Sequence, residues 1–432
     1  MKNQQEILSK LNIDALNPMQ ESALDAISSS NNTILLSPTG TGKTLAFLLP
    51  VLDFMDHDNP EVQVLILVPS RELAIQIEQV IRNMGTGFKV NAIYGGRAMS
   101  KDKIELKHTP AILVGTPGRI LDHFMADRFT KEHINTLILD EFDKSLEVGF
   151  EEEMTEILAE LPNLKKRILT SATEAVKIPK FVGMENPRRI NYLKKNTPSK
   201  LTISTVISEE DKLKTLVQLL KYIGEEPGII FCNLKDSIDT VSSFLSQKHI
   251  LHECFSGGME QKDRERALIK FRNGSSRILV ATDLAGRGMD IPELKFIIHY
   301  ELPQRVEEFT HRNGRTARVN EAGTAYVVKW DKEKLPGFAS NSKPINIGKT
   351  NRLGDPFWET LFISGGRKDK ISKGDIAGLF FKQGGLKREQ LGDIELKQDC
   401  AFVAVPKNKS KELVDSLNNS RLKKKKVRIT VL

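Results

Sequence analysis

The run Ser37-Pro38-Thr39-Gly40-Thr41-Gly42-Lys43-Thr44 gathers two glycines, a lysine and hydroxyl side chains in one short segment, a composition suited to gripping a polyphosphate. Gly40 and Gly42 allow backbone N–H groups to approach phosphate without a Cβ in the way. Lys43 offers a point charge to the β and γ phosphates, and Thr44 a hydroxyl for Mg²⁺. Residues 32–36 (NTILL) read as a buried strand and residues 44–55 as an apolar-rich helix, which is the strand, loop, helix order that a phosphate loop requires. Ser37 stands where the usual pattern has its first glycine.

Two further groups complete a chemical set. Residues 136–139 (TLIL) make another buried strand that ends at Asp140-Glu141-Phe142-Asp143. In an open parallel sheet that end faces the ligand crevice. There Asp140 is suited to hold Mg²⁺ through water, and Glu141 to orient or deprotonate an attacking water. Acidic residues also cap helices, but the order behind a phosphate loop favours the catalytic reading. Residues 311–318 (HRNGRTAR) supply arginines able to stabilise the charge that builds as a γ-phosphoryl group transfers. Arg315 and Arg318 are three apart and share a face on a helical turn. Gly314 within such a helix costs roughly 1 kcal/mol relative to alanine, which argues against a plain solvated basic helix.

The elements that must hold these groups follow from the spacing of short apolar runs. Strand-like segments at 62–68, 111–114, 136–139 and 167–169 alternate with helical patterns to about residue 190, predicting a doubly wound parallel sheet. The pattern restarts at 228–231, 277–281, 296–299 and 324–328 with no glycine loop of its own. The expected organisation is an α/β chain with two RecA-like lobes, 1–193 and 201–335. A polar connector at 194–200 (KKNTPSK) is expected to act as a hinge, and a linker at 336–356 leads to a tail domain at 357–432. Two lobes with one phosphate loop imply a triphosphate between them, finished by Arg315 and Arg318.

These segments, in their order, resemble the DEAD-box RNA helicases along nearly the whole chain. They are LNPMQ ending at Gln20, the loop at 37–44, PSRELAIQ at 69–76, Gly95-Gly96, TPGR at 116–119, DEFD at 140–143 and Ser171-Ala172-Thr173. In the second half follow IIFCN at 229–233, Gln261 with Arg264, ATDLAGRGMD at 281–290 and HRNGRTAR. The resemblance implies ATP as nucleotide, with Gln20 reading the adenine edge and Gly288 and Asp290 at the nucleotide, Asp290 on its ribose. It implies that Ser171 and Thr173 couple nucleotide state to domain closure. Arg71, Gly96, Thr116, Arg119, Arg264 and Thr282 would track the RNA sugar-phosphate backbone, a sequence-blind mode of contact. Departures from the family pattern are Asn17, Ser37, Ser70 and Phe142, and no aromatic precedes Gln20 where the family places one to stack on adenine.

Composition is consistent with this. At 432 residues the chain is too long for one core. It contains no apolar run of the roughly 18 residues that a membrane span needs, and its N-terminus lacks a secretory hydrophobic stretch, so no membrane partner is expected. Three scattered cysteines fit neither zinc spacing nor a disulfide framework, which points to a reducing cytoplasm. A monomer is expected.

Charge singles out the tail. Residues 357–432 carry 17 Lys and Arg against 9 Asp and Glu, a surplus equal to the +8 of the whole chain, so the rest balances. Phosphate neutralisation makes such a segment the natural nucleic-acid anchor, although Lys423 to Lys426 alone also fit a solvated charge run. Strand patterns at 360–364, 393–397, 400–405 and 427–431, with helices at 374–382 and 409–417, give the βαββαβ order of an RRM-like α+β fold. Alternation places Phe362, Cys400 and Phe402 on one face, where the two rings either stack on bases or pack under a neighbouring segment. The stretch GGRKDKISKGDIAG (365–378) resembles the RNA-binding domain of the DbpA-type helicases. That resemblance implies a structured element of 23S rRNA in the assembling large ribosomal subunit as partner, with Arg367, Lys368 and Lys370 as candidate contacts. Two other readings stay open: a general RNA chaperone of the cold-shock helicase type, and an ATP-gated RNA clamp that does not unwind.

Overall fold

The structure is a computed structural model that describes residues 4–174, 178–193, 200–283, 291, 294–317, 322–348, 350 and 352–432. The chain forms two compact units, the first within residues 1–199 and the second carrying residues 200–286 and 291–432.

The first unit is built on a seven-stranded sheet. Its strands are β1 (Asn32–Leu36), β2 (Val64–Leu67), β3 (Val90–Ile93), β4 (Ile112–Gly115), β5 (Thr136–Leu139), β6 (Lys166–Ser171) and β7 (Arg188–Asn191), in the order β3-β4-β2-β5-β6-β1-β7. Every pairing is parallel. Both faces are covered, which is why the central strands read as unbroken apolar runs. Leu35, Ile66, Val114, Ile138 and Ile168 pack on one side with the helices Pro18–Ser29, Lys43–Leu52 and Arg71–Met84. Ile34, Leu67, Leu113, Leu139 and Leu169 pack on the other with Phe124, Met154 and Ile157.

The second unit repeats this plan. Strands β8 (Leu201–Ser208), β9 (Gly228–Phe231), β10 (Glu253–Phe255), β11 (Ile278–Ala281), β12 (Phe296–His299), β13 (Gly323–Trp330) and β14 (Lys343–Pro344) lie in the order β10-β11-β9-β12-β13-β8-β14, again all parallel. Thus the two RecA-like parallel lobes expected from the alternation are present. The segment read as a linker contributes β14 to the sheet edge, and its Ile345, Ile347 and Leu353 pack on the core below. The connector at 194–199 lies outside the described residues.

The tail is an antiparallel α+β domain within the second unit. Strands β15 (Trp358–Ile363), β16 (Ile394–Leu396), β17 (Ala401–Pro406) and β20 (Ile429–Val431) pair in the order β16-β17-β15-β20, and β18 (Arg421–Leu422) and β19 (Lys425–Lys426) form a separate short ribbon. Leu361, Ile363, Ala401 and Val403 point into a core with the helices Lys373–Lys382 and Ser410–Leu417. The opposite face, bearing Thr360, Phe362 and Phe402, lies against the C-terminal end of the helix Gln261–Arg272. Asn273 Nδ2 donates to Thr360 Oγ1 at 3.2 Å, Ser275 Oγ lies 2.6 Å from the same hydroxyl, and Arg272 Nη2 meets Glu395 Oε2 at 2.5 Å. Gly274, at φ +72°, lies so close to Trp358 that a Cβ there would stand 3.2 Å from its Cδ1. Of the two uses that alternation left open, packing under a neighbouring segment is the one that Phe402 adopts, while Phe362 stays half-buried.

Candidate nucleotide and RNA site

The motif segments of the first unit from Ser37 onward converge on the carboxyl edge of its sheet, because each lies at the end of a parallel strand and the strands end together. Ser37 follows β1, Asp140 follows β5 and Ser171 ends β6, and the Ser37 N–H donates to the Ser171 carbonyl at 3.1 Å. The phosphate loop is held by its own side chains. Ser37 Oγ lies 2.8 Å from Thr41 Oγ1, and Thr41 Oγ1 donates to the Pro38 carbonyl at 2.9 Å. Lys43 opens the helix Lys43–Leu52 and is buried, its ammonium donating to the carbonyls of Ser37 at 2.7 Å and Pro38 at 2.9 Å. Thr44 follows at the second helical position, while Pro38, Gly40 and Gly42 are exposed along the loop with Thr39 half-buried.

Gln20 closes one side of this loop. Asn17 caps the helix Pro18–Ser29 in a reciprocal box with Gln20, so the asparagine found where the family has threonine keeps the capping function. Gln20 Nε2 donates to the Gly42 carbonyl at 3.3 Å and Asn17 Nδ2 to that of Thr41 at 3.1 Å. Gly42 has φ +83°, a backbone that favours glycine, and a Cβ on it would stand 2.5 Å from Gln20 Nε2 and displace that amide.

The acidic pair is tied to β6. Thr170 Oγ1 donates to Asp140 Oδ1, and the same hydroxyl oxygen accepts the Glu141 N–H at 3.3 Å. Burial and the adjacent Glu141 charge push the Asp140 carboxyl up to about 6, against the pull of the Thr170 hydrogen bond and of Lys43. Glu141 sits in the left-handed region at φ 49°, and its Oε2 is buried with no hydrogen-bond partner among the described residues. A buried carboxylate beside an acceptor with no hydrogen-bond partner among the described residues suits a hydrated Mg²⁺ that arrives with phosphates. Among the described residues no cluster of three or more acidic, His or Cys side chains could hold a metal ion. Phe142 is fully buried in the core beneath. Thr173 Oγ1 donates to Asp143 Oδ2 at 3.1 Å and its N–H to Ser171 Oγ at 3.0 Å, so the Ser-Ala-Thr segment is hydrogen-bonded to the acidic motif.

Of the residues assigned to the RNA track, Arg71 opens the helix Arg71–Met84 with its guanidinium against Gly96, whose φ of +80° leaves that approach open. Thr116 stands at the N-cap position of the helix Pro117–Met125. Arg119 donates through Nε to buried Asp102 at 2.7 Å and through Nη2 to the Arg97 carbonyl at 2.6 Å, with Arg97 and His123 on the same carboxylate. Its side chain is thereby engaged in holding the loop. In the second unit Arg264 is buried with its guanidinium 4.8 Å from the Phe255 ring centroid, and Thr282 follows β11 half-buried.

The arginine run departs from the expected helical turn. Its helix, Val306–Asn313, stops with Gly314 as C-cap, so the glycine lies at the helix end, where its conformational freedom costs less than in the interior, and buried Arg315 lies beyond it. Arg318, Gly288 and Asp290 lie outside the described residues. A residue not singled out from the sequence anchors the run: Arg312, 1% exposed, donates to Asp283 Oδ1 at 2.7 Å, the Glu301 carbonyl at 2.6 Å and Asn233 Oδ1 at 2.8 Å. Its partners lie in or beside the IIFCN and ATD motifs, a signal legible only in hindsight. In the tail, Arg367, Lys368 and Lys370 are exposed on a loop pinned to the β16–β17 connection, with Lys368 N–H donating to the Gln398 carbonyl at 2.9 Å.

Comparison with known proteins agrees with this arrangement. Residues 17–180 match the DEAD/DEAH box helicase family, 211–320 the helicase conserved C-terminal domain and 360–431 the DbpA RNA binding domain. The ATP-dependent RNA helicase DbpA of Bacillus subtilis (strain 168) is 30% identical over 95% of this chain and 93% of its own. The chain belongs to the DEAD-box ATP-dependent RNA helicases. DbpA of Escherichia coli (strain K12) is likewise 30% identical, over 98% of this chain and 96% of its own. Among solved structures, S. cerevisiae Dbp5 bound to RNA and ADP BeF3 shares 26% identity at TM-score 0.68 over 76% of this chain and 88% of that one. Mss116p bound to ssRNA and AMP-PNP shares 27% identity at TM-score 0.69 over 76% and 73%. This DEAD-box chain is therefore an RNA-stimulated ATPase, and RNA is its partner. Among the described residues no helix is long and apolar enough to cross a membrane.

Proposed function

We propose that this helicase is a monomer that remodels structured RNA locally in the cytoplasm, directed by its tail to 23S rRNA during assembly of the large ribosomal subunit. The observation that carries the targeting is the tail itself: an RRM-like domain whose residues 360–431 match the DbpA RNA binding domain and whose exposed Arg367, Lys368 and Lys370 stand on a pinned loop. ATP binds with Lys43 on its β and γ phosphates and Gln20 at the adenine. Thr44 and Asp140 are the groups that hold Mg²⁺, which when bound neutralises charge on the phosphates. Glu141 orients and deprotonates the attacking water, with its unpaired Oε2 as acceptor, and Arg315 and Arg318 supply positive charge to the transferring phosphoryl group. Gly288 and Asp290 serve the nucleotide, and Ser171 and Thr173 relay its state. Arg71, Gly96, Thr116, Arg264 and Thr282 follow the RNA backbone, with Arg119 supporting that loop.

ATP and RNA together favour a state that accepts a single strand and rejects a duplex. Opening about four base-pair steps at roughly 1.4 kcal/mol each requires on the order of 6 kcal/mol, so this state must prefer single-stranded RNA by a comparable margin. Short-range strand separation follows, without long processive unwinding. Two experiments test the reading. Glu141→Gln abolishes turnover while retaining RNA in an ATP-dependent complex, and undiminished hydrolysis rules out the assigned role. Crosslinking in cells followed by sequencing of bound RNA gives a sharp peak in 23S rRNA; reads dispersed over many transcripts indicate a general RNA chaperone instead.

A further inference from the structure

Where the outer face of the tail sheet meets the helix Gln261–Arg272, the contact is incomplete. A recess of about 300 Å³ remains, lined by Arg266 from that helix and by Phe362, Arg428, Thr430, Val431 and Leu432 from the tail. The volume is at the small end of ligand pockets. It is too small for a folded segment and fits one planar group with its substituent. The lining is chemically specific. Two guanidinium groups face one cavity, and like charges in a common recess favour an anion. The Arg428 side chain has no hydrogen bond or ion pair among the described residues, and Arg266 has only an exposed, 3.9 Å contact with Asp263, an arrangement worth little in water. Phe362, half-buried and edge-on to Phe402 with centroids 5.7 Å apart, offers an aromatic surface beside the two cations. Thr430 adds a hydroxyl. The rest of the face is closed, since Thr360 is 0% exposed and Phe402 6%.

We propose that this recess takes one nucleotide of single-stranded RNA, its base against Phe362 and its phosphate between Arg266 and Arg428. Aromatic stacking with a guanidinium on phosphate is the combination that single-strand binders use, and it is tolerant of sequence. The site rests on the reading of the tail as an RNA-binding domain and extends it. An RNA anchored by the 365–370 loop would have a flanking single strand gripped jointly by tail and second lobe, so the tail would guide that strand onto the helix that carries Arg264.

The test uses the full chain and a fluorescently labelled, 4-thiouridine-containing RNA made of a hairpin with a single-stranded extension, compared with the hairpin alone. The parent protein binds the extended RNA more tightly, and irradiation places crosslinks in the peptides that carry Phe362 or Thr430. Arg428→Ala, at an exposed position, and Phe362→Leu each weaken binding of the extended RNA by about fivefold or more while leaving the bare hairpin unchanged. The Arg428 variant guards against a Phe362 variant that loosens the domain contact. Equal affinities of parent and variants for the extended RNA, or crosslinks confined to other peptides, overturn the recess while leaving hairpin recognition intact. A parent chain that binds neither RNA overturns the tail reading as well.

Discussion

Replacing Thr170 with valine keeps the shape and β-branching of a fully buried strand residue while deleting one hydroxyl. That hydroxyl donates to Asp140 Oδ1 and accepts the Glu141 N–H at 3.3 Å, so one atom fixes the carboxylate proposed to hold Mg²⁺ and the peptide of the residue proposed to activate water. A hydrogen bond to a charged group contributes about 1.5–3 kcal/mol. Asp140 retains the Glu141 N–H at 3.1 Å as a second donor, so the lower part of that range applies to folding. The effect on turnover is larger, because Glu141 occupies a left-handed conformation that a non-glycine residue adopts only when its surroundings hold it there. Expressed as a rate at 1.36 kcal/mol per decade, the loss amounts to roughly 10- to 100-fold in kcat for RNA-stimulated ATP hydrolysis. Thr170→Ser restores the hydroxyl and stays within about threefold of the parent. Affinity for a fluorescent nucleotide measured in EDTA is unchanged in both variants, since Lys43 and the loop are untouched, whereas the gain in affinity on adding Mg²⁺ shrinks in the valine variant alone. A Thr170→Val protein that hydrolyses ATP within twofold of the parent, or a serine variant as impaired as the valine one, would refute the reasoning.

Other perturbations separate structural from chemical roles. Phe142→Ala, which restores the alanine of the DEAD pattern, empties a site that is 0% exposed and should lower unfolding free energy by about 3–5 kcal/mol in denaturant titration, despite making the motif more typical. Gly42→Ala must place a Cβ 2.5 Å from Gln20 Nε2 at a backbone of φ +83°, so ATP affinity should fall at least tenfold while the circular dichroism spectrum is retained. Asp102→Asn breaks the cluster in which the fully buried Asp102 carboxylate meets Arg97, Arg119 and His123 and should destabilise by about 3–5 kcal/mol near neutral pH. Burial raises the Asp102 carboxyl, but the His123 and Arg119 hydrogen bonds and the guanidinium charges outweigh it and leave it below 3.8. Its contribution is therefore fully present above pH 3.8 and lost as pH falls through the lower native value. The gap between parent and Asp102→Asn should close as pH falls through that acid window, as followed by urea titration.

What the sequence disclosed depended on whether one strand or two had to be known. The phosphate loop, the acidic motif and the strands VLIL, TLIL, GIIF and FIIH are local signals, since strands buried on both faces leave uninterrupted apolar runs. Strand β3 was missed because Asn91 interrupts its run, although that side chain is itself buried. Strands β7 and β8 were missed because each is partly exposed, β7 at a sheet edge and β8 beside the two-residue β14, and polar residues mix into both. Thr170 was invisible for a different reason. In sequence it is one more β-branched residue, and only the register of β5 against β6, with Leu139 opposite Leu169, brings it beside Asp140. Arg312 and Arg315 likewise stand in one recognisable run, yet the helix that ends at Asn313 divides them between anchoring and the turn beyond.

The tail shows where period-two alternation stops being informative. It sorts Phe362 and Phe402 away from Leu361 and Val403 correctly, because pleating alone decides that. It says nothing of what the sorted face meets, since an aromatic and hydroxyl-bearing surface suits a nucleobase and a protein neighbour equally well. The answer comes from Asn273 and Ser275, 87 and 85 positions from Thr360 in the chain, which hydrogen-bond to its hydroxyl and close most of that face. Arg272 on Glu395 secures the same contact. With its broad sheet face engaged, the tail still offers its rim loop and the Arg266–Phe362–Arg428 recess to RNA. Recognition at those two places would hold RNA against the second lobe itself, so the basic surplus of the tail would act on the ATPase core through a fixed joint and would lose that coupling if the Thr360 contact were broken.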